Sequence, residues 1–179
     1  MKTTQILIAG FGGQGILFSG KFLAYKGLLE DIQVSWLPSY GPEMRGGTAN
    51  CNVILSDTPV GSPIITTPDV LIAMNLPSLQ KYVNTVAPNG QIYIDSSLID
   101  APIERTDVSV FPIPATQMAK EEGIASLANM IIVGHLLENH PELSFEGAQE
   151  VVESLVPPKK AALKELNMKA LSLGKNYRQ

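Results

Sequence analysis

The stretch Ile6-Leu-Ile-Ala-Gly-Phe-Gly-Gly-Gln-Gly15, running on to Leu29, limits the fold more than any other part of this chain. The apolar run Ile6 to Ala9 suits a strand buried on both faces. Glycines at 10, 12, 13 and 15 follow, and then Ile16-Leu-Phe-Ser-Gly-Lys-Phe-Leu-Ala-Tyr25, apolar almost all the way round, predicts a buried helix. Strand, glycine turn and helix open a doubly wound α/β domain. Gly10, Gly12 and Gly15 satisfy G-x-G-x-x-G, which permits a tight turn, close backbone approach and close helix–strand contact. Amides at the start of such a helix favour an anion. The same glycines also serve turn geometry and packing alone, and both readings stand on these residues.

Dinucleotide sites usually add an acidic residue about twenty positions on, at the end of the second strand. Here that strand, Ile32 to Leu37, ends in Pro38-Ser39, and Glu30 and Asp31 precede it. NAD is not expected. A loop rich in glycine and proline follows, Pro38 to Gly47. Thr48 to Ser56 then alternates Ala49, Cys51, Val53 and Leu55 with polar residues, a strand with one face on the core. Ser56-Asp-Thr-Pro59 predicts a return towards Val60 and Ile64-Ile65, making this part of the sheet antiparallel inside a parallel pattern. Strands over 69–74, 91–95 and 108–113 restore the α/β alternation. Asn75 is placed to cap the intervening helix, and Pro112 marks an edge strand or a strand's end. Pro114 starts the next helix and Gly123 ends it. Ser126 to Leu137 is a nearly apolar helix whose exception, Asn129, is either a buried amide bonded to backbone or a ligand contact. Two amphipathic helices close the chain, with stripes Phe145, Ala148, Val152, Leu155 and Leu163, Leu166, Ala170, Leu173. The expected architecture is one Rossmann-like, doubly wound, three-layer α/β domain over residues 1–179, its sheet mixed and mainly parallel.

Composition narrows the chemistry. With 17% charged residues and a net charge of −4, the chain is lightly charged for a monomer and has no basic cluster, which argues for surface buried against partners and against nucleic acid. No apolar run approaches a membrane span, and the first strand starts too early for a signal peptide, so the cytoplasm is expected. Cys51 is the only cysteine: the chain makes no internal disulfide and cannot hold an iron–sulfur cluster, which needs about four thiolates. Its place on the apolar face of a strand makes it a core residue, not a nucleophile. His135 and His140 are expected at the surface or at a helix end, and no metal site is expected.

Three blocks, Gly10 to Gly15, Tyr40-Gly-Pro-Glu-Met-Arg-Gly-Gly47 and Pro68-Asp-Val-Leu-Ile-Ala-Met-Asn75, together with Ala128-Asn-Met-Ile-Ile-Val-Gly134, resemble the gamma subunit of 2-oxoacid:ferredoxin oxidoreductases. The resemblance implies oxidative decarboxylation of a 2-oxoacid with coenzyme A to acyl-CoA and carbon dioxide, the electrons passing to ferredoxin. It implies alpha, beta and delta partner chains, with thiamine diphosphate and its Mg²⁺ between alpha and beta and clusters on beta and delta. This chain would bind no cofactor alone and would stand near the coenzyme A entry. In keeping with that division, the sequence has no Gly-Asp-Gly of a thiamine site. The candidate coenzyme A residues are Gly10, Gly12, Gly13, Gln14, Gly15, Tyr40, Arg45, Gly46, Gly47 and Asn129. Arg45 is either a fork for a phosphate or partner carboxylate, or the partner of Glu43 two residues away. Tyr40 and Met44 suit a pantetheine arm, a partner or the core. A stand-alone Rossmann-type nucleotide or flavin enzyme and a ligand-free scaffold are the rival readings, and monomer and homodimer are both open to the isolated chain.

Overall fold

The computed structural model describes residues 3–39 and 48–178. Six strands, β1 (Thr4–Phe11), β2 (Gln33–Ser39), β3 (Thr48–Ser56), β4 (Val70–Ala73), β5 (Gln91–Asp95) and β6 (Ser109–Ile113), form one sheet in the order β2-β3-β1-β4-β5-β6. β1, β4, β5 and β6 pair in parallel, while β3 lies antiparallel between β1 and β2. The sheet is therefore mixed and mainly parallel, as expected, with the antiparallel element at β3. The hairpin-like return at Val60 and Ile64-Ile65 does not form: residues 57–69 carry no strand, and Ile64 is exposed. Gly61, Pro59 and Pro63 supply the reason, since each interrupts a ladder.

The described helices are α1 (Ile16–Leu29), α2 (Leu76–Tyr82), α3 (Ala115–Glu121), α4 (Ala128–Asn139), α5 (Ala148–Leu155) and α6 (Ala161–Asn176). Asn75 caps α2 as expected, its Oδ1 accepting from the Ser78 amide at 2.9 Å. Pro112 lies in the edge strand β6. α4 starts at Ala128, after a 3₁₀ turn over Ala125–Leu127. Alternate strand residues divide the interior in two. Ile6, Ile8, Val53, Leu55, Ile72 and Tyr93 face the layer of α1, α4, α5 and α6. Leu7, Leu71, Ala73, Ile92 and Ile94 face α2 and Ile99.

Three helix faces depart from the sequence pattern. α1 is not buried all round: Tyr25, Leu28 and Leu29 are exposed while Lys26 is buried. Lys26 is tolerated inside because its Nζ pairs with Glu30 and donates to the Glu146 carbonyl at 2.8 Å. On α6, Leu163 and Leu166 are exposed; Ala170 of the expected stripe is buried, joined by Asn167, Leu171 and Gly174. The cause is a close crossing of α4 and α6. A Cβ on Gly134 would lie 2.0 Å from the Leu171 carbonyl oxygen, and one on Gly174 would lie 1.8 Å from that of Ile131. Backbones this close need glycine at the crossing, so Gly134 and Gly174 set which face of α6 turns inward.

His135 is the third correction. It is buried, neither at the surface nor at a helix end, because β5, β6 and the C-terminal end of α6 surround it with rings. Its imidazole meets Tyr93, Phe111 and Tyr177 edge-on at centroid distances of 5.9, 6.2 and 5.5 Å.

Candidate functional site

In doubly wound sheets the ligand crevice lies where the chain's direction of winding reverses, at the carboxyl ends of the strands. Here that point is between β1 and β4, since α1 leads from β1 towards β2 while β4 lies on the other side of β1. The glycine turn is built over this crevice. Gly13 and Gly15 take φ of +94° and +75°, values that favour glycine. Gly15 is the N-cap of α1 with no side-chain cap, so the first amides of the helix face the turn without intrahelical partners.

Gln14 spans the crevice. Its Oε1 accepts from the Phe11 amide at 2.7 Å and from Asn75 Nδ2 at 3.2 Å, and its Nε2 donates to the Met74 carbonyl at 3.0 Å. Gly10 makes room for this bridge: a Cβ there would lie 2.6 Å from Ile16 Cδ1, 2.7 Å from Gln14 Oε1 and 2.9 Å from Met74 Cβ. One carboxamide thus ties the ends of β1 and β4 and the start of α2 together. β2 holds no carboxylate, and Glu30 and Asp31 precede its first residue, at the end away from the crevice.

Asn129 meets the same turn from α4. Its Nδ2 donates to the Gly15 carbonyl at 3.1 Å and to Ser19 Oγ at 3.0 Å. Its Oδ1 is buried and has no partner among the described residues. The structure therefore brings Gly10, Gly12, Gly13, Gln14, Gly15 and Asn129 together. Tyr40, Arg45, Gly46 and Gly47, with Glu43 and Met44, lie outside the described residues.

One polar group at this end of the sheet, and one role of another, were missed in the sequence. Asp95, fully buried at the end of β5, accepts from the Ser97 amide at 3.0 Å and from the Thr116 amide at 3.1 Å, and so caps α3 from another element. The signal was an acid at a strand's end with a Thr in the first turn of the helix that returns beside it. Asn75 does two jobs: its capping was legible, but its bond to Gln14 depends on a residue 61 positions away. Cys51 is a core residue as expected. Its thiol sits against the backbone of α1, and burial pushes it up to about 12, against smaller opposing pulls from the Trp36 indole and the Gly20 amide. Burial also raises the Tyr93 hydroxyl. Among the described residues no three His, Cys, Asp or Glu side chains cluster as metal ligands. No described helix is long and apolar enough to cross a membrane.

The described site is thus the switch-point crevice of a Rossmann-like domain, bridged by the Gln14 side chain, with the one thiol buried in the core. Residues 5–177 match the family described as pyruvate ferredoxin/flavodoxin oxidoreductase, and the chain belongs to that family. It is 37% identical over 174 residues to a ketoisovalerate oxidoreductase subunit, VorA, of Methanothermobacter thermautotrophicus, covering 97% of this chain and 36% of the relative. It is 34% identical over 178 residues to a 2-oxoglutarate synthase subunit, KorC, of Methanothermobacter marburgensis, covering 96% of this chain and 94% of the relative. The chain thus spans about a third of the length of the ketoisovalerate relatives and nearly all of the 2-oxoglutarate ones. Among solved structures, the gamma subunit of a keto/oxoacid ferredoxin oxidoreductase from Geobacter sulfurreducens superposes with a TM-score of 0.81 at 29% identity, over 96% of this chain and 95% of that one. A 2-oxoglutarate:ferredoxin oxidoreductase from Magnetococcus marinus, with 2-oxoglutarate, coenzyme A and succinyl-CoA bound, gives 0.88 at 28% identity, over 98% of this chain and 31% of that one.

Proposed function

We propose that this chain is the gamma subunit of a cytoplasmic 2-oxoacid:ferredoxin oxidoreductase, one gamma-type domain that is inactive alone. The whole complex converts a 2-oxoacid and coenzyme A to acyl-CoA and carbon dioxide and passes the electrons to ferredoxin. Thiamine diphosphate with Mg²⁺ and the iron–sulfur clusters belong to the alpha, beta and delta chains, where thiamine supplies the electron sink for the carbanion. The observation that carries this reading is the family match along residues 5–177, on a chain whose one cysteine is buried and inert. The lack of a carboxylate on β2 to grip a ribose weighs against the rival, a stand-alone nucleotide or flavin enzyme.

Within the complex, the amides of Gly12, Gly13 and Gly15 and the guanidinium of Arg45 serve the phosphates of coenzyme A. The helix start supplies aligned N–H groups and the arginine a planar fork. Gly46 and Gly47 serve close backbone approach to the ligand, Tyr40 offers apolar contact to its pantetheine arm, and Asn129 holds the turn through its bond to the Gly15 carbonyl. The test is coenzyme A kinetics of the reconstituted complex beside melting of the free chain. Arg45→Ala raises the KM for coenzyme A about ten- to a hundred-fold, Arg45→Lys less, and the free chain melts as before. Unchanged coenzyme A kinetics in Arg45→Ala overturn the role given to this arginine. Turnover by the chain without partners overturns the subunit reading.

A further inference from the structure

One side of the sheet is only partly covered. Residues paired across antiparallel strands point to the same side. Leu37 of β2 faces Asn52 of β3, and Asn52 faces Leu7 of β1; Ser35 faces Ile54, and Asn50 faces Ala9. Leu37, Ser35, Asn50 and Asn52 thus share the side away from α1. On that side the connections β4–α2–β5 and β5–β6 lie over the parallel half, and Leu7, Leu71, Ile92 and Ile94 are buried there. On this side no described helix packs along β2 and β3, and α2 reaches β3 with its last residue, Tyr82. The Tyr82 hydroxyl accepts from Asn50 at 3.2 Å, and the Pro63 carbonyl accepts from Asn52 at 3.4 Å.

Among the described residues, those that remain open on this side carry no charge. Ser35, Asn50 and Asn52 are half-buried, Leu37 is 38% exposed, and Phe11 and Ile64 stand exposed at its border at 37% and 65%. A solvated sheet face normally carries charged side chains, whereas depletion of charge marks the core of a protein interface. The light charge of the whole chain is consistent with a covered face. The longer relatives point to the occupant. The chain covers 36% of the ketoisovalerate subunit and 31% of the Magnetococcus chain, so in both the matching part is continuous with a larger polypeptide.

We propose that the open half-face of β2 and β3 is the docking site for the companion alpha chain of the oxidoreductase, the counterpart of the remainder of those longer relatives, with Leu37 at the centre of an uncharged contact. This rests on the subunit reading above. Two strands of this length offer a strip of roughly 25 by 10 Å. The strip is therefore the core of a contact that reaches past Phe11 and Ile64 to the ~800 Å² per partner of a standard interface.

A charge placed in such a core is buried without a partner. With the complete set of subunits co-expressed, Leu37→Glu and Asn52→Asp should each weaken binding of this chain to its companions at least ~10-fold. The free variants should melt like the parent, and the controls Leu28→Glu on α1 and Leu166→Glu on α6 should bind within about twofold. If Leu37→Glu fails to fold, Ser35→Lys decides in its place. Parental affinity in these variants overturns the proposal, as does loss of affinity in the controls alone. Conversion of a homodimer of the free chain to monomer, with the companion's affinity unchanged, assigns the face to a second copy and also overturns it. Failure of the parent chain to bind any companion is a different result: it refutes the subunit reading itself, and this docking site with it.

Discussion

Asn129 occupies the space that a side chain on Gly15 would need: a Cβ there would lie 2.5 Å from Asn129 Nδ2 and 2.6 Å from its Cγ. The third glycine of the motif is thus held by two demands at once, a φ of +75° and a buried carboxamide reaching in from α4. Gly15→Ala should cost about 1–3 kcal/mol from backbone strain, and more from the clash. Asn129→Ala should cost about 2 kcal/mol by leaving the Gly15 carbonyl with one donor fewer. Because the clash vanishes when Asn129 is removed, the double variant should be more stable than the sum of the two losses predicts, by about 1 kcal/mol or more. Urea unfolding of the four proteins checks this, and strict additivity would show that the two residues do not contend for one space.

Gln14 should matter to stability before it matters to any ligand. Gln14→Ala removes three hydrogen bonds across the end of the sheet and should destabilise the chain by about 2 kcal/mol. Gln14→Glu should be no better, since a carboxylate cannot donate to the Met74 carbonyl. The parent chain should bind NAD(P) and flavins no tighter than about 10 μM by calorimetry. A tighter complex would mean that the bridge opens.

Gly134 and Gly174 should rank as the least replaceable glycines. An added Cβ at either would strike backbone at 2.0 or 1.8 Å, and backbone cannot rotate away as a side chain can. Alanine at either should cost more than about 3 kcal/mol. Gly13→Ala has open space but a φ of +94°, and should cost about 1–2 kcal/mol. Gly61→Ala, with nothing near it, should lie within about 0.5 kcal/mol of the parent. Melting temperatures in that order check the ranking.

Periodicity and glycine chemistry made most of the fold legible. Ile6 to Ala9, Asp69 to Met74 and Gln91 to Asp95 read as buried parallel strands because both their faces are covered. The alternation of Ala49, Cys51, Val53 and Leu55 marked β3 as different. What the pattern could not carry was contact between distant residues. Leu163 and Leu166 look like the start of a core stripe with Ala170 until the approach of α4 and α6 turns Asn167, Leu171 and Gly174 inward with Ala170 and leaves the two leucines outside. His135 reads as a helix-end residue until Tyr93, Phe111 and Tyr177, each from another element, close around it. At the site, Gln14 and Asn129 were legible as polar residues in apolar company. That Gln14 bridges to Met74 and Asn75 was not, since a carboxamide in a glycine turn suits a ligand equally well.

His135 gives the fold a pH dependence whose sign follows from burial. Desolvation lowers its pKa below the usual histidine value, with Arg178 acting the same way, while the Gly174 carbonyl and Glu138 pull upward. The rings of Tyr93, Phe111 and Tyr177 offer no carboxylate, and Nδ1 lies 3.2 Å from the Asn139 amide nitrogen, which favours the neutral imidazole. A folded pKa below the unfolded value of about 6.5 means that the unfolded chain binds the proton first as pH falls. The stabilisation is therefore complete above about pH 6.5 and is lost progressively as pH falls towards the folded pKa, by at most ~1.4 kcal/mol per pH unit for one histidine. His140, lowered chiefly by burial as well, adds a similar component that Glu142 and Asp69 oppose. His135→Phe keeps a ring among rings and removes one titration, so its stability should fall less steeply than the parent's between about pH 6.5 and 5. At pH 7.5 the variant should be the less stable of the two, having lost the bond to Asn139, and the gap should narrow as the pH drops. Urea unfolding at half-unit pH steps, with His140→Asn alongside to account for the other imidazole, measures the slopes. Parallel slopes in the parent and His135→Phe would show that His135 takes up its proton without leaving its cage.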